Sequence, residues 1–187
     1  MKLVVGLGNP GKEYENTRHN AGRMMVFWIE EKIENKNPSS GAKLTTGQVK
    51  FITPDTFMNN SGKAVLPFIK SKKDLKDLVV IYDDVDLPLG NIKISYDRSS
   101  GGHNGLESII KKLKSREFVR IRVGIAPATP TGKIKKPKGE EAMLKFLLGK
   151  YKEPELKELK KLSKKIGEAL EVIFTEGKDK AMSLYNS

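Results

Sequence analysis

Leu78-Val79-Val80-Ile81-Tyr82, followed at once by Asp83-Asp84-Val85-Asp86, is the stretch on which the fold of this 187-residue chain turns. An unbroken apolar run has no polar side to offer to water, so it reads as a central strand covered on both faces, and it ends in acids. On its N-terminal side, Lys2 to Val5 reads as a second buried strand, followed by a glycine-rich turn and a polar loop through residue 20. Met24, Met25, Trp28, Ile29 and Ile33 then recur at helical spacing until Asn35-Lys36-Asn37-Pro38 stops the pattern. Val49 to Ile52 forms a strand ending at Pro54, and Ser61 is placed to cap a short helix carrying Val65, Phe68 and Ile69.

On the C-terminal side, Ile92, Ile94 and Tyr96 alternate with polar residues. Leu106, Ile109, Ile110 and Leu113 return to the helical period, and Val119, Ile121 and Val123 alternate with Arg120 and Arg122. The order strand, helix, strand, repeated, predicts an α/β fold: one domain over residues 1–187, a three-layer sandwich whose mixed, largely parallel central sheet is flanked by helices. Residues 126–140 are rich in Pro, Gly and Lys, and a mobile basic lid reaching to about residue 150 is expected there. Leu156, Leu159, Leu162, Ile166, Leu170 and Ile173 mark an amphipathic C-terminal helix near 155–176, stopped near Gly177. There is no internal repeat.

Composition narrows the chemistry. With no cysteine and only two histidines, the chain has no thiol nucleophile and no Cys-ligated zinc, so metal-free and cofactor-free chemistry is expected. The apolar run Leu3-Val4-Val5 is too short for a signal sequence or a membrane span, which predicts a cytoplasmic protein. The formal net charge is +12, from 35 Lys and Arg against 23 Asp and Glu. Between Lys111 and Lys138 ten basic residues face Glu117 alone, so one basic face is expected, suited either to a polyanion or simply to solvent.

Gly6-Leu7-Gly8-Asn9-Pro10-Gly11 fits the spacing of the dinucleotide-binding glycine fingerprint. In such a fingerprint the helix begins within the glycine turn and meets a pyrophosphate, whereas here a polar loop intervenes. The acid expected to hold a ribose should end a second strand, yet Glu30 and Glu31 lie inside the helix that follows. No dinucleotide is therefore expected, and the glycines read as letting a loop pass close to a site.

Polar residues capable of chemistry gather at Asn9, His19-Asn20, Asn59-Asn60, Asp83 to Asp86 and His103-Asn104, each at or just after the end of an expected element. Strand ends are where open α/β sheets bind ligands, and the positions are consistent with one cleft. Acyl transfer needs a nucleophile, a base and a stabilised oxyanion, but the chain has no Gly-x-Ser-x-Gly elbow. Water activated by a histidine, with a carboxylate fixing its tautomer, is the economical alternative. General-base catalysis supplies only about 10²–10⁴-fold, enough for an ester but weak against an unactivated amide. Asparagine carboxamides can both donate to and accept from a peptide backbone.

Six ordered blocks resemble the bacterial-type peptidyl-tRNA hydrolase family: Val-Gly-Leu-Gly-Asn-Pro-Gly (5–11), Thr-Arg-His-Asn-Ala-Gly (17–22), Thr-Phe-Met-Asn-Asn-Ser-Gly (56–62), Asp-Asp-Val-Asp-Leu-Pro (83–88), Gly-Gly-His-Asn-Gly-Leu (101–106) and Phe-Val-Arg-Ile-Arg-Val-Gly-Ile (118–125). The resemblance spans nearly the whole chain. It implies that His19 is the general base, that Asp83 holds it in its basic form, and that Asn9 helps to distinguish N-blocked from free aminoacyl groups. Tyr14, Phe57, Asn59 and Asn104 match substrate-contacting positions, and Met58 would pack beside the histidine. By charge and placement, Lys93, Arg122 and the segment from Lys133 to Lys138 are candidates for phosphates of the acceptor end. The expected partner is peptidyl-tRNA, met as a monomer, with no membrane and no metal. The competing expectation is a non-catalytic RNA-binding protein on the same scaffold. Plainer roles also exist for some of these residues: Asp86 could cap the Leu87-Pro88 turn, Asn104 the following helix, and Phe57 and Met58 could be core.

Overall fold

The structure is a computed structural model that describes residues 1–34, 49–129 and 131–186. The expected helix stop at 35–38 lies outside the described residues. Among those described, five strands form one sheet: β1 (Lys2–Gly6), β2 (Val49–Ile52), β3 (Leu78–Pro88), β4 (Ile92–Tyr96) and β5 (Val119–Ala126). Their order across the sheet is β2-β1-β3-β5-β4. All neighbours are parallel except β4 and β5, so the sheet is mixed and mostly parallel, as the element order predicts.

Side-chain alternation along β3 makes the three layers. Val79 and Ile81 face one core, where helix α1 (Ala21–Glu34) contributes Met25 and Ile29 and helix α6 (Glu153–Thr175) contributes Leu159, Ile166 and Leu170. Leu78, Val80 and Tyr82 face the opposite core, against Leu106 and Ile109 of helix α4 (Asn104–Leu113) and Val65 of helix α2 (Ser61–Val65). Burying each of these aliphatic side chains contributes about 1.5–3 kcal/mol, which is what holds both helical layers on the sheet.

Several elements differ from the sequence expectation. β3 continues past Tyr82 to Pro88, because Asp83 and Asp84 still pair with Val123 and Gly124 before the register shifts between Asp84 and Pro88. Ser61 does not cap: its hydroxyl is buried and donates back to the Met58 carbonyl at 2.8 Å, closing the preceding turn. Helices α3 (Lys72–Lys76), α5 (Glu140–Leu148) and α7 (Lys178–Tyr185) have too few buried residues for a legible stripe; α5 has none that is fully buried. α5 occupies the second half of the segment expected to be a lid.

α7 returns the chain to the edge strand β4. There Asn186 Oδ1 accepts from the Ile94 N–H at 2.7 Å, while its Nδ2 donates to the Ile94 carbonyl at 2.9 Å. One carboxamide thus pairs with Ile94 as a neighbouring strand would.

Candidate active site

β1 and β3 lie side by side and parallel, and the chain leaves both at the same end of the sheet. After β1 comes the loop carrying Asn9, then two single 3-10 turns, Lys12–Tyr14 and Arg18–Asn20, and only then α1. Helix α1 can approach β3 because residue 22 is glycine: a Cβ there would collide with the Ile81 carbonyl. This close crossing brings the turn holding His19 down onto β3 just past its last pairing with β1, where Asp83 stands.

Asp83 is 3% exposed and accepts hydrogen bonds from two imidazoles. His19 Nδ1 lies 3.0 Å from both carboxylate oxygens, and His103 Nε2 lies 3.0 Å from Oδ1. The tautomer of His103 follows from its other nitrogen, which accepts from the backbone N–H of Leu106 at 3.3 Å and so leaves the proton on Nε2. His103 is therefore the N-cap of α4, and Asn104 is the first residue of the helix rather than its cap. In neutral His19 the Asp83 contact puts the proton on Nδ1, leaving Nε2 as a free base.

Burial disfavours a charged imidazole at position 19, but the Asp83 charge and hydrogen bond outweigh it and hold the His19 pKa above its ordinary 6.5. Burial would likewise raise the Asp83 carboxyl; the nearby imidazoles of His19 and His103 reverse this and hold it far below the usual carboxylate range. Tyr82, whose ring meets His103 edge-on at 4.9 Å between centroids, is pushed up to about 12, chiefly by burial, and stays a phenol.

Asn9 is locked from three directions. Its Oδ1 accepts from the Met58 N–H at 2.7 Å, its N–H donates to Asn20 Oδ1 at 2.8 Å, and its carbonyl accepts from Asn20 Nδ2 at 2.9 Å. With Oδ1 occupied, Nδ2 is the group left to donate, without a partner among the described residues. Sequence reading did not single out Asn20 as the clamp on Asn9; two asparagines eleven residues apart carry no signal of a mutual bond.

The five clusters do not all line one cavity. A cleft of about 870 Å³ is lined by His19, Asp83, His103 and Asn104 and extends to Lys93 and Arg122. Asn9, Tyr14, Phe57, Met58 and Asn59 form a second group outside that lining, joined through the Asn9–Met58 bond. Within it, Tyr14 and the exposed Phe57 meet edge-on at 6.2 Å, Asn59 is exposed, and Met58 is buried with its sulfur filling the space that a Cβ on Gly105 would need.

On the basic side, Lys93 and Arg122 are register partners across β4 and β5. Arg122 Nε donates to Asp84 Oδ2, while its Nη groups have no partner among the described residues. Asp86 does not cap a turn: Asp84 Oδ1 accepts the Asp86 N–H, and the Asp86 carboxylate takes Lys136 Nζ at 2.7 Å. Lys136 reaches the cleft, whereas Lys133, Lys135 and Lys138 are not among its lining. His19, Asp83 and His103 are also the described residues whose ligand atoms, within 4.8 Å of one another, have the composition of a metal site. No helix among the described residues is long and apolar enough to cross a membrane.

A family model described as peptidyl-tRNA hydrolase matches residues 3–187. Among curated relatives, the peptidyl-tRNA hydrolase of Thermotoga petrophila is 44% identical, covering 99% of this chain and 97% of its own length. That of Syntrophotalea carbinolica is 37% identical over 100% of this chain and 97% of its own length. The crystal structure of peptidyl-tRNA hydrolase from Acinetobacter baumannii superposes with a TM-score of 0.81 at 29% identity, covering 100% of this chain and 95% of that one.

Proposed function

The chain belongs to the peptidyl-tRNA hydrolase family, and we propose that it cleaves the ester between a peptide and the 3′-terminal ribose of tRNA with water activated by His19. The observation that carries this reading is the Asp83 carboxylate at 3.0 Å from His19 Nδ1, which leaves Nε2 as the base. Nε2 takes a proton as water attacks the ester carbonyl. The imidazolium, favoured by Asp83, then returns that proton to the departing ribose oxygen, giving a tRNA 3′-hydroxyl and a carboxylic acid that ionises by losing its proton to solvent.

Asn9, with Nδ2 left to donate, is suited to a peptide carbonyl and so to recognising an N-blocked aminoacyl group. Tyr14, Phe57, Asn59 and Asn104 are read as further contacts to the substrate, and Met58 as packing beside the histidine. Lys93 and the free Nη groups of Arg122 would meet acceptor-end phosphates, helped by the segment from Lys133 to Lys138.

We read His19, Asp83 and His103 as a hydrogen-bonded set rather than metal ligands. His103 Nδ1 is already an acceptor for Leu106, so Nε2 is protonated and cannot coordinate. The protein is read as a cytoplasmic monomer, testable by sedimentation, and a chelator should leave its activity unchanged.

The deciding measurement is release of peptide from N-acetyl-aminoacyl-tRNA. The wild type should cleave it and spare the unblocked form. His19→Ala should lose about 10²–10⁴-fold in rate while still binding tRNA. Equal cleavage of both substrates, or binding with no cleavage by the wild type, would favour a non-catalytic RNA-binding role instead.

A further inference from the structure

Arg18, the neighbour of the base, is held more heavily than a surface residue needs to be, and all of its side-chain partners lie in one distant segment. Its backbone N–H donates to the Gly149 carbonyl at 3.1 Å. Nη1 donates to the carbonyls of Gly149 at 3.2 Å and Lys150 at 3.1 Å, and Nη2 reaches both Glu155 oxygens at 3.0 and 3.3 Å. The guanidinium lies 4.8 Å from the Phe146 ring centroid and 5.2 Å from that of Tyr151. Around it, Thr17 bridges Lys150, and the Tyr151 N–H donates to the Asn16 carbonyl at 2.8 Å.

That segment is the junction of α5 and α6. Glu155 does double duty there, since it also accepts the Lys152 N–H at the start of α6. α5 in turn has two working sides: Met143 and Leu147, one turn apart, line the cleft that contains His19, and Phe146 lies against Arg18. A single planar cation thus joins the helix bordering the cleft to the residue that carries the base. Only arginine combines a planar face for two rings with donors enough for two carbonyls and a carboxylate.

We infer that Arg18 is a positioning residue that couples the seat of helix α5 to the orientation of His19, so that a substrate resting on Met143 and Leu147 also sets the base. The inference rests on the reading of His19 as general base. It requires no direct contact between Arg18 and tRNA.

The test measures kcat and KM on N-acetyl-aminoacyl-tRNA, the pH profile of kcat/KM, and Tm, for Arg18→Lys and Arg18→Gln. Arg18→Lys should lose about 10- to 100-fold in kcat, the effect of a base displaced by an ångström or less, with KM changed less than about twofold. Its acid limb should move to lower pH, because a misplaced imidazole loses the support of Asp83. Two further variants leave Arg18 in place should its own replacement fail to fold. Glu155→Gln weakens its partner, and Gly149→Ala sets a Cβ 3.2 Å from Nη1; both should act in the same direction but less.

A raised KM with intact kcat would overturn the inference in favour of a tRNA contact. A lower Tm with unchanged kcat and pH limb would reduce Arg18 to a structural role. An inactive His19→Ala beside an unimpaired Arg18→Lys overturns the coupling alone, whereas a fully active His19→Ala overturns the base and the coupling together.

Discussion

The end of the sheet where His19 meets Asp83 and the basic segment that follows β5 solve opposite problems. Around Asp83 each side chain answers to several partners: two imidazoles on one carboxylate, and a carboxamide at Asn9 tied to Met58 and Asn20. In the segment between β5 and α5, Lys133 and Lys135 are exposed. Its hydrogen bonds are mostly internal, such as Lys133 N–H to Thr129, with Lys136–Asp86 as an ion pair to the end of β3. The first region is held by several bonds at once; the second, Lys136 apart, leaves Lys133 and Lys135 with no side-chain partner among the described residues. Geometry should be unforgiving in one and nearly irrelevant in the other.

The largest expected break comes from Asp83→Asn, which preserves shape but removes the charge that fixes the His19 tautomer. A loss of up to about 10⁴-fold in kcat is expected, with tRNA binding retained. If instead binding fell and turnover held, the two regions would have exchanged roles.

Gly22→Ala probes the same region through the backbone. Its Cβ must displace the Ile81 carbonyl, so stability should drop by about 1–3 kcal/mol, read as a lower Tm, and activity should fall with it.

The pH dependence sharpens the contrast further. Because the His19 pKa is raised, the base form predominates only at a pH above the ordinary 6.5, and the acid limb of kcat/KM should lie there. The linked stability has the opposite sense: the charged His19–Asp83 pair stabilises the fold fully below the ordinary histidine value and less as pH rises through the folded-state value. Asp83 itself, with its lowered pKa, adds stability that is lost only as pH falls well into the acid range. A limb at or below 6.5 would break the proposed pairing.

On the basic side, Lys93→Ala should raise KM several-fold at fixed salt and lower the salt slope of binding by about one, with kcat unchanged. Lys135→Ala should do the same more weakly, because Lys135 does not line the cleft. A large kcat effect at either lysine would erase the distinction between the regions.

The same distinction governed what could be read from the chain. The β3 run and the α6 and α4 stripes were legible because burial writes itself into apolar spacing, and those three elements already define the layers. Helix α5 was not, since it buries none of its residues fully; α7, with Ala181 alone buried, left no pattern either. His19, Asp83 and Asn9 could be gathered from their places at strand ends and from the family motif. The second bond to Asp83 could not: His103 was visible as a loop histidine, but only the start of α4 shows that the Leu106 N–H fixes its tautomer. Arg18 stood within the quoted 17–22 block without a role, because its partners lie more than 130 residues away in sequence.

The small clasp between Asn186 and Ile94 bears on how copies of the chain meet one another. β4 is the sheet's outer strand, and an open outer strand is a template on which a second molecule can lay a strand of its own. Occupying both the N–H and the carbonyl of Ile94, midway along β4, breaks that template into two short pieces. The Asn186 carboxamide would thereby guard this edge against self-association, and Asn186→Ala should reveal it as concentration-dependent clumping; because Asn186 and Ile94 also border the cleft that holds His19, turnover is to be measured alongside.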